Sequence, residues 1–161
     1  MASATATNYQ TPRSYVVLAV FLAIVIGVGA LIGTQSVPGV WYEQLQKPPF
    51  NPPNWIFGPV WFALYVLIAI AGWRVFMRDA TGLSAKLWYG QMALNWIWSP
   101  VWFIGQMLWP AFVIIVAMWL TIVAFIAVTW RQDRPAAVCF VPYLAWVSFA
   151  GLLNLSIALL N

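Results

Sequence analysis

The chain has 161 residues, of which 64% are hydrophobic and 6% charged, with a mean hydropathy of +0.87. A soluble domain carries about 25% charged residues, so a soluble fold is excluded and an all-α integral membrane protein of one domain is expected; no hydrophilic block is large enough for a second. The net charge of +4 comes from seven basic and three acidic residues. The basic residues sit at the ends of apolar runs and never form a patch, which argues against nucleic acid and instead orients a membrane protein.

Residues 1–13 lack the ordered charge, apolar stretch and small-residue site of a signal peptide and read as a frayed tail. The first apolar run, 15–34, is long enough to cross about 30 Å of hydrocarbon. Gly27, Gly29 and Gly33 give its second half a small face that lets another helix approach.

The stretch 38–61 follows, the one part of the chain that mixes many prolines, aromatics and charges. Pro48-Pro49 and Pro52-Pro53 lack N–H groups and fix φ, so this segment is stiff without being a helix in lipid. It reads either as a lid over the mouth of the bundle, with Trp41, Pro48, Pro52, Pro53 and Trp55 as its stiff residues, or as an interfacial linker anchored by its aromatics.

The second span is expected at 55–76, with Pro59 in its first turn. The third is expected at 87–103, where Pro100 should kink or end it, the fourth at 108–130 and the fifth at 136–160. Five spans place Arg13, Arg74, Arg78, Lys86, Arg131 and Arg134 on one side and Lys47 alone on the other. That bias puts the N-terminus inside and the long loop outside.

Histidine is absent, so the commonest metal ligand and general base is missing. The acids Glu43, Asp79 and Asp133 all fall between spans, and coupled pumps and carriers generally need ionisable groups within them. No catalytic triad, zinc spacing or phosphate loop is present. Cys139 stands alone in an apolar run and reads as a small buried residue.

Tryptophan is abundant instead, 12 residues in all. Trp41, Trp55, Trp88, Trp109 and Trp130 lie near span ends, where aromatic belts form. Trp61, Trp96, Trp98, Trp119 and Trp146 lie deeper. Trp61 and Tyr65 share one helix face. So do Asn95, Trp98 and Trp102, and likewise Trp146, Ala150, Leu153 and Asn154. Faces that combine aromatics and amides suit a pocket for a flat apolar ligand. They equally suit helix packing, with Asn95 and Asn154 bonding between helices.

These residues carry a resemblance. Trp41-Tyr42 with Leu45 and Lys47-Pro48, Pro52-Pro53-Asn54-Trp55, Phe57 and Pro59-Val60-Trp61 resemble the TspO/MBR family, the translocator or peripheral benzodiazepine receptor family. Asn95-Trp96-Ile97-Trp98-Ser99-Pro100, Val141-Pro142-Tyr143-Leu144-Ala145-Trp146 and Leu153-Asn154 extend the likeness over roughly 15–158.

The resemblance implies a five-helix bundle, often a homodimer. It implies a receptor or sensor for tetrapyrroles such as protoporphyrin IX and haem, bound without covalent attachment, and for benzodiazepine-type ligands and sterols. Carried over by motif, Trp61, Tyr65, Asn95, Trp98, Trp146, Ala150 and Leu153 would bind ligand. Two further roles come with the family. One is passive transport of porphyrin or sterol. The other is light-dependent porphyrin degradation, in which Trp61 and Trp146 would be the oxidisable neighbours.

One departure from the family pattern is the end of the fifth span. Animal members place a Tyr and an Arg there in a proposed cholesterol motif, whereas this sequence has no basic residue after Arg134. That weakens the expectation of tight sterol binding and points to a bacterial membrane rather than the mitochondrial outer membrane.

Overall fold

The computed structural model describes residues 9–36 and 38–161. Thr11 starts the first helix by accepting the Ser14 N–H at 3.2 Å, and Pro12 takes the opening position, where its missing N–H costs nothing. Helix α1 runs Pro12–Gln35, the short α2 covers Val40–Gln44, and a 3-10 turn at Asn54–Ile56 leads into α3, Phe57–Asp79. Then come α4, Leu83–Ser99, a π turn at Pro100–Ile104, α5, Leu108–Gln132, and α6, Arg134–Leu160. Asp133 caps α6 by accepting the Ala136 N–H at 3.1 Å. There is no strand among the described residues.

Four helical stretches are long and apolar enough to cross a membrane among the described residues: Pro12–Gln35, Asn54–Asp79, Leu108–Gln132 and Arg134–Leu160. The expected third span differs. As a regular helix α4 has 17 residues, because Pro100 cannot donate to the preceding turn. The backbone widens there into the π turn, which closes with the Gly105 N–H on the Pro100 carbonyl at 2.9 Å. The expected long loop also gains structure. It holds α2, and residues from Phe57 onward already belong to α3.

The helices pack chiefly as α5 on α6, α4 on α5, α1 on α3 and α3 on α6. Ile68, Met92, Ile115, Ile122, Phe125, Phe140 and Tyr143 are buried at the centre. Trp88 belongs to this core and not to an interfacial belt. It lies against Gly72 and donates its indole N–H to the Ile68 carbonyl at 2.8 Å. Trp119 lies near the middle of α5, away from the span ends as expected, on the outer face with 37% exposure, and donates to Ser148 Oγ at 2.8 Å.

The end of the bundle that carries most of the arginines is tied by polar groups. The buried Asp133 carboxylate accepts from Arg74 Nε at 2.8 Å and from the Tyr9 hydroxyl at 2.9 Å. The Arg74 guanidinium lies over the Tyr9 ring at 4.3 Å. Burial, with Asp133 beside it, pushes the Tyr9 phenol above its ordinary pKa, so it stays a donor at neutral pH. Arg78 donates to the Gln132 carbonyl, and Ser84 to the Gln132 side chain. The N-terminal segment, α3, α4 and the α5–α6 junction meet here. The opposite end is left to the long loop and the site beneath it.

Candidate ligand cavity

Under the loop lies a cavity of about 570 Å³. Its walls come from the second half of α1, the first half of α3, the end of α4, the π turn and the middle of α6. Trp61 and Tyr65 project from α3, Trp98 and Ser99 from α4, Phe103 from the π turn, and Trp146 and Ala150 from α6. Tyr42, Pro38 and Asn54 line it from the loop. The i, i+4 spacing puts Trp61 with Tyr65, and Trp146 with Ala150, on one wall each. No acidic or basic side chain is among the described lining residues.

Gly29 makes room for the Tyr65 ring. A Cβ built there would stand 2.2 Å from Tyr65 Cε2, so only glycine lets α1 lie this close. Trp61 leans on Tyr65 with centroids 5.4 Å apart and on Tyr143 at 6.3 Å. Trp146 is held edge-on by Phe57 at 5.9 Å and packs against Phe149 at 5.5 Å. Its indole N–H is buried without a partner.

Two residues expected in the wall stand behind it. Asn95 is buried and bridges two tyrosines: the Tyr65 hydroxyl donates to its Oδ1 at 3.2 Å, and its Nδ2 donates to the Tyr143 hydroxyl at 2.9 Å. Tyr143 in turn donates to Met118 Sδ at 3.2 Å. Asn95 therefore orients Tyr65 and leaves the wall to it. Leu153 packs in a second cluster with Tyr42, Trp102, Ala111 and Ile157. Asn154 accepts from Trp98 Nε1 at 3.3 Å and donates to the Leu108 carbonyl at 3.0 Å. The amides thus bond between helices, and Trp98 and Trp146 on the same helix faces line the cavity.

From the loop, Pro38, Tyr42 and Asn54 line the cavity, and the five expected lid residues are not among its described lining residues. Tyr42 is buried and donates to Asn51 Oδ1 at 3.1 Å. Burial pushes its phenol above the ordinary value, although the bond to Asn51 acts the other way. Lys47, the one cation of this loop, donates to the Glu43 and Leu45 carbonyls at 3.1 Å each and lies over the Tyr42 ring at 4.7 Å. Trp41 sits edge-on against Trp102 at 6.2 Å, and Trp102 stacks on Trp98 at 6.0 Å. Pro48 is buried, Pro52 half-buried and Pro53 exposed, and Trp55 is 73% exposed. Sequence reasoning missed Tyr42 and Phe103 as wall residues. The Trp41-Tyr42 pair carried a weak signal, and Phe103 none, because the π turn sets its direction.

The model of the TspO/MBR family matches residues 16–160. The chain belongs to the TspO/MBR family. This TspO/MBR chain is 35% identical over 145 residues to a tryptophan-rich sensory protein of Cereibacter sphaeroides, covering 89% of this chain and 92% of that protein. It is 39% identical over 148 residues to a translocator protein of Ovis aries, covering 84% and 85% respectively. It is 33% identical over 151 residues to the tryptophan-rich protein TspO of Chlorobaculum tepidum, covering 89% and 94%. Family and apolar helices together make it an integral membrane protein.

Proposed function

We propose that this TspO/MBR chain is a membrane receptor of sensor type that binds a tetrapyrrole, protoporphyrin IX or haem, in the cavity beneath the loop. One observation carries the reading: α3, α4 and α6 direct Trp61, Tyr65, Trp98 and Trp146 at a single uncharged space of about 570 Å³. Small-molecule sites are concave, of roughly 300–1,000 Å³, and mostly apolar with aromatic walls. A flat conjugated ring offers these side chains offset-stacked and edge-on contacts. Benzodiazepine-type ligands and sterols share the apolar body and would compete for the same space.

The reading includes the topology. Helix α4 with its π turn, 83–104, forms the fifth crossing. The N-terminus and the arginine-rich end lie inside, as the positive-inside bias requires, and the loop lies outside. A homodimer is part of the expectation, with crosslinking in lipid as its check.

The test is a titration of purified protein with protoporphyrin IX in detergent, following tryptophan quenching and the porphyrin band. Saturable binding, weakened in Trp146→Ala, supports the reading. Non-saturable quenching, equal in both proteins, means that porphyrin only partitions into the micelle and overturns it.

A further inference from the structure

We propose that Asn161 is the latch of the loop and sets how fast the cavity exchanges its ligand; this rests on the cavity being the binding site. The loop segment 40–53 is bonded mostly to itself. Tyr42 holds Asn51, and Lys47 holds the Glu43 and Leu45 carbonyls, so the segment moves as a unit. Apolar contact seats this unit on the bundle, with Tyr42 in the cluster of Trp102, Leu153 and Ile157, and Phe50 edge-on to Phe149 at 6.4 Å.

The polar connection is narrower. Among the described residues, every side-chain hydrogen bond between 40–53 and the helices runs through Asn161. The Gln46 N–H donates to Asn161 Oδ1 at 3.0 Å, and Asn161 Nδ2 donates to the Gln46 carbonyl at 3.0 Å. One amide thus satisfies both backbone groups of one residue, as a neighbouring strand would. The same Nδ2 also donates to the Ile157 carbonyl at 2.9 Å, which ties the amide to the last turn of α6.

Position turns this contact into control of access. Tyr42 and Asn54, on either side of Gln46 in the chain, are walls of the cavity. Freeing Gln46 removes the polar tie that resists lifting of the unit, so Tyr42 leaves the cavity wall and its apolar seat together. The Gln46–Asn161 bonds are solvent-exposed, so water competes for each group and the latch opens and closes readily. A latch of this kind changes rates. Opening speeds entry and exit alike, and the equilibrium moves little unless the ligand itself touches Asn161.

Two measurements on the full chain test this. Amide hydrogen exchange in the ligand-free protein is compared for wild type, Asn161→Ala and Asn161→Asp, which keeps the acceptor and loses the donor. Faster exchange confined to 40–53, largest in Asn161→Ala and intermediate in Asn161→Asp, supports the latch. Protoporphyrin IX association and dissociation are then timed, with excess serum albumin as acceptor. Both rates should rise by about five- to tenfold in Asn161→Ala, as expected for losing two exposed hydrogen bonds, with their ratio within about twofold of wild type. Unchanged exchange at 40–53 overturns the latch, as do unchanged rates in a protein that binds. Absence of saturable binding in wild type would fell the receptor reading alone, and the exchange experiment would still decide the latch.

Discussion

A methyl group at position 29 would meet the Tyr65 ring at 2.2 to 2.8 Å, and that ring has little freedom because its hydroxyl is fixed on Asn95. Gly29→Ala must therefore push α1 outward or turn Tyr65 into the cavity. We expect a loss of about 1–3 kcal/mol, typical of overpacking, seen as a lower unfolding temperature in detergent together with weaker protoporphyrin binding. An unchanged melting temperature would refute the close approach. Asn95→Leu keeps the volume but removes the bridge between the two tyrosines. It should cost about 1–2 kcal/mol in the same assay, in the range of interhelical hydrogen bonds in membranes. A neutral effect would mean that the two hydroxyls find other partners. Asn95 was legible as an inward-facing residue, because an amide in lipid turns toward the bundle. Its place behind Tyr65 was not, since spacing along α4 says nothing about which neighbour stands between a side chain and an empty space.

At the scale of elements, proximity of helices depends on small residues and on the polar knot at one end. A Cβ at position 72 would lie 2.4 Å from Trp88 Cε2, so Gly72→Ala should separate α3 from α4 and strain the Trp88 bond to Ile68. The expected penalty is again about 1–3 kcal/mol, with tryptophan emission shifting as Trp88 loosens; an unshifted spectrum would count against it. Asp133→Asn removes the charge that holds Arg74 and leaves the N-cap acceptor of α6. Fully buried pairs lose about 3–5 kcal/mol when one partner is removed. Arg74 keeps 21% of its side chain exposed, so about 1–2 kcal/mol is expected here, measured by thermal unfolding. The helices themselves were readable from apolar runs and proline positions, to within a few residues at most ends. The π turn was not. Pro100 announces an interruption, because without an N–H it leaves the Trp96 carbonyl without its helical donor, but nothing in the sequence says whether the backbone stops, kinks or widens. Here it widens, and the Pro100 carbonyl accepts from the N–H of Gly105, five residues on.

Taken whole, the molecule is closed differently at its two ends. One ion pair and the hydrogen bonds around Asp133 bind one end, and an aromatic loop bonded to Asn161 covers the other. Between them lies an uncharged cavity where helices that pack tightly elsewhere leave a gap. The aromatic faces that build it were visible as i, i+4 pairs. The gap itself was not, because periodicity identifies an inward face without saying whether another side chain fills it. That gap is the central claim, and filling it tests it most directly. Ala150 is buried in the cavity wall on α6. In Ala150→Phe the new ring occupies the space, and protoporphyrin IX affinity should fall at least about tenfold while the melting temperature holds or rises, since filling a void gains the contacts it lacked. Undiminished affinity in a folded Ala150→Phe protein would contradict the account and place porphyrin outside the bundle.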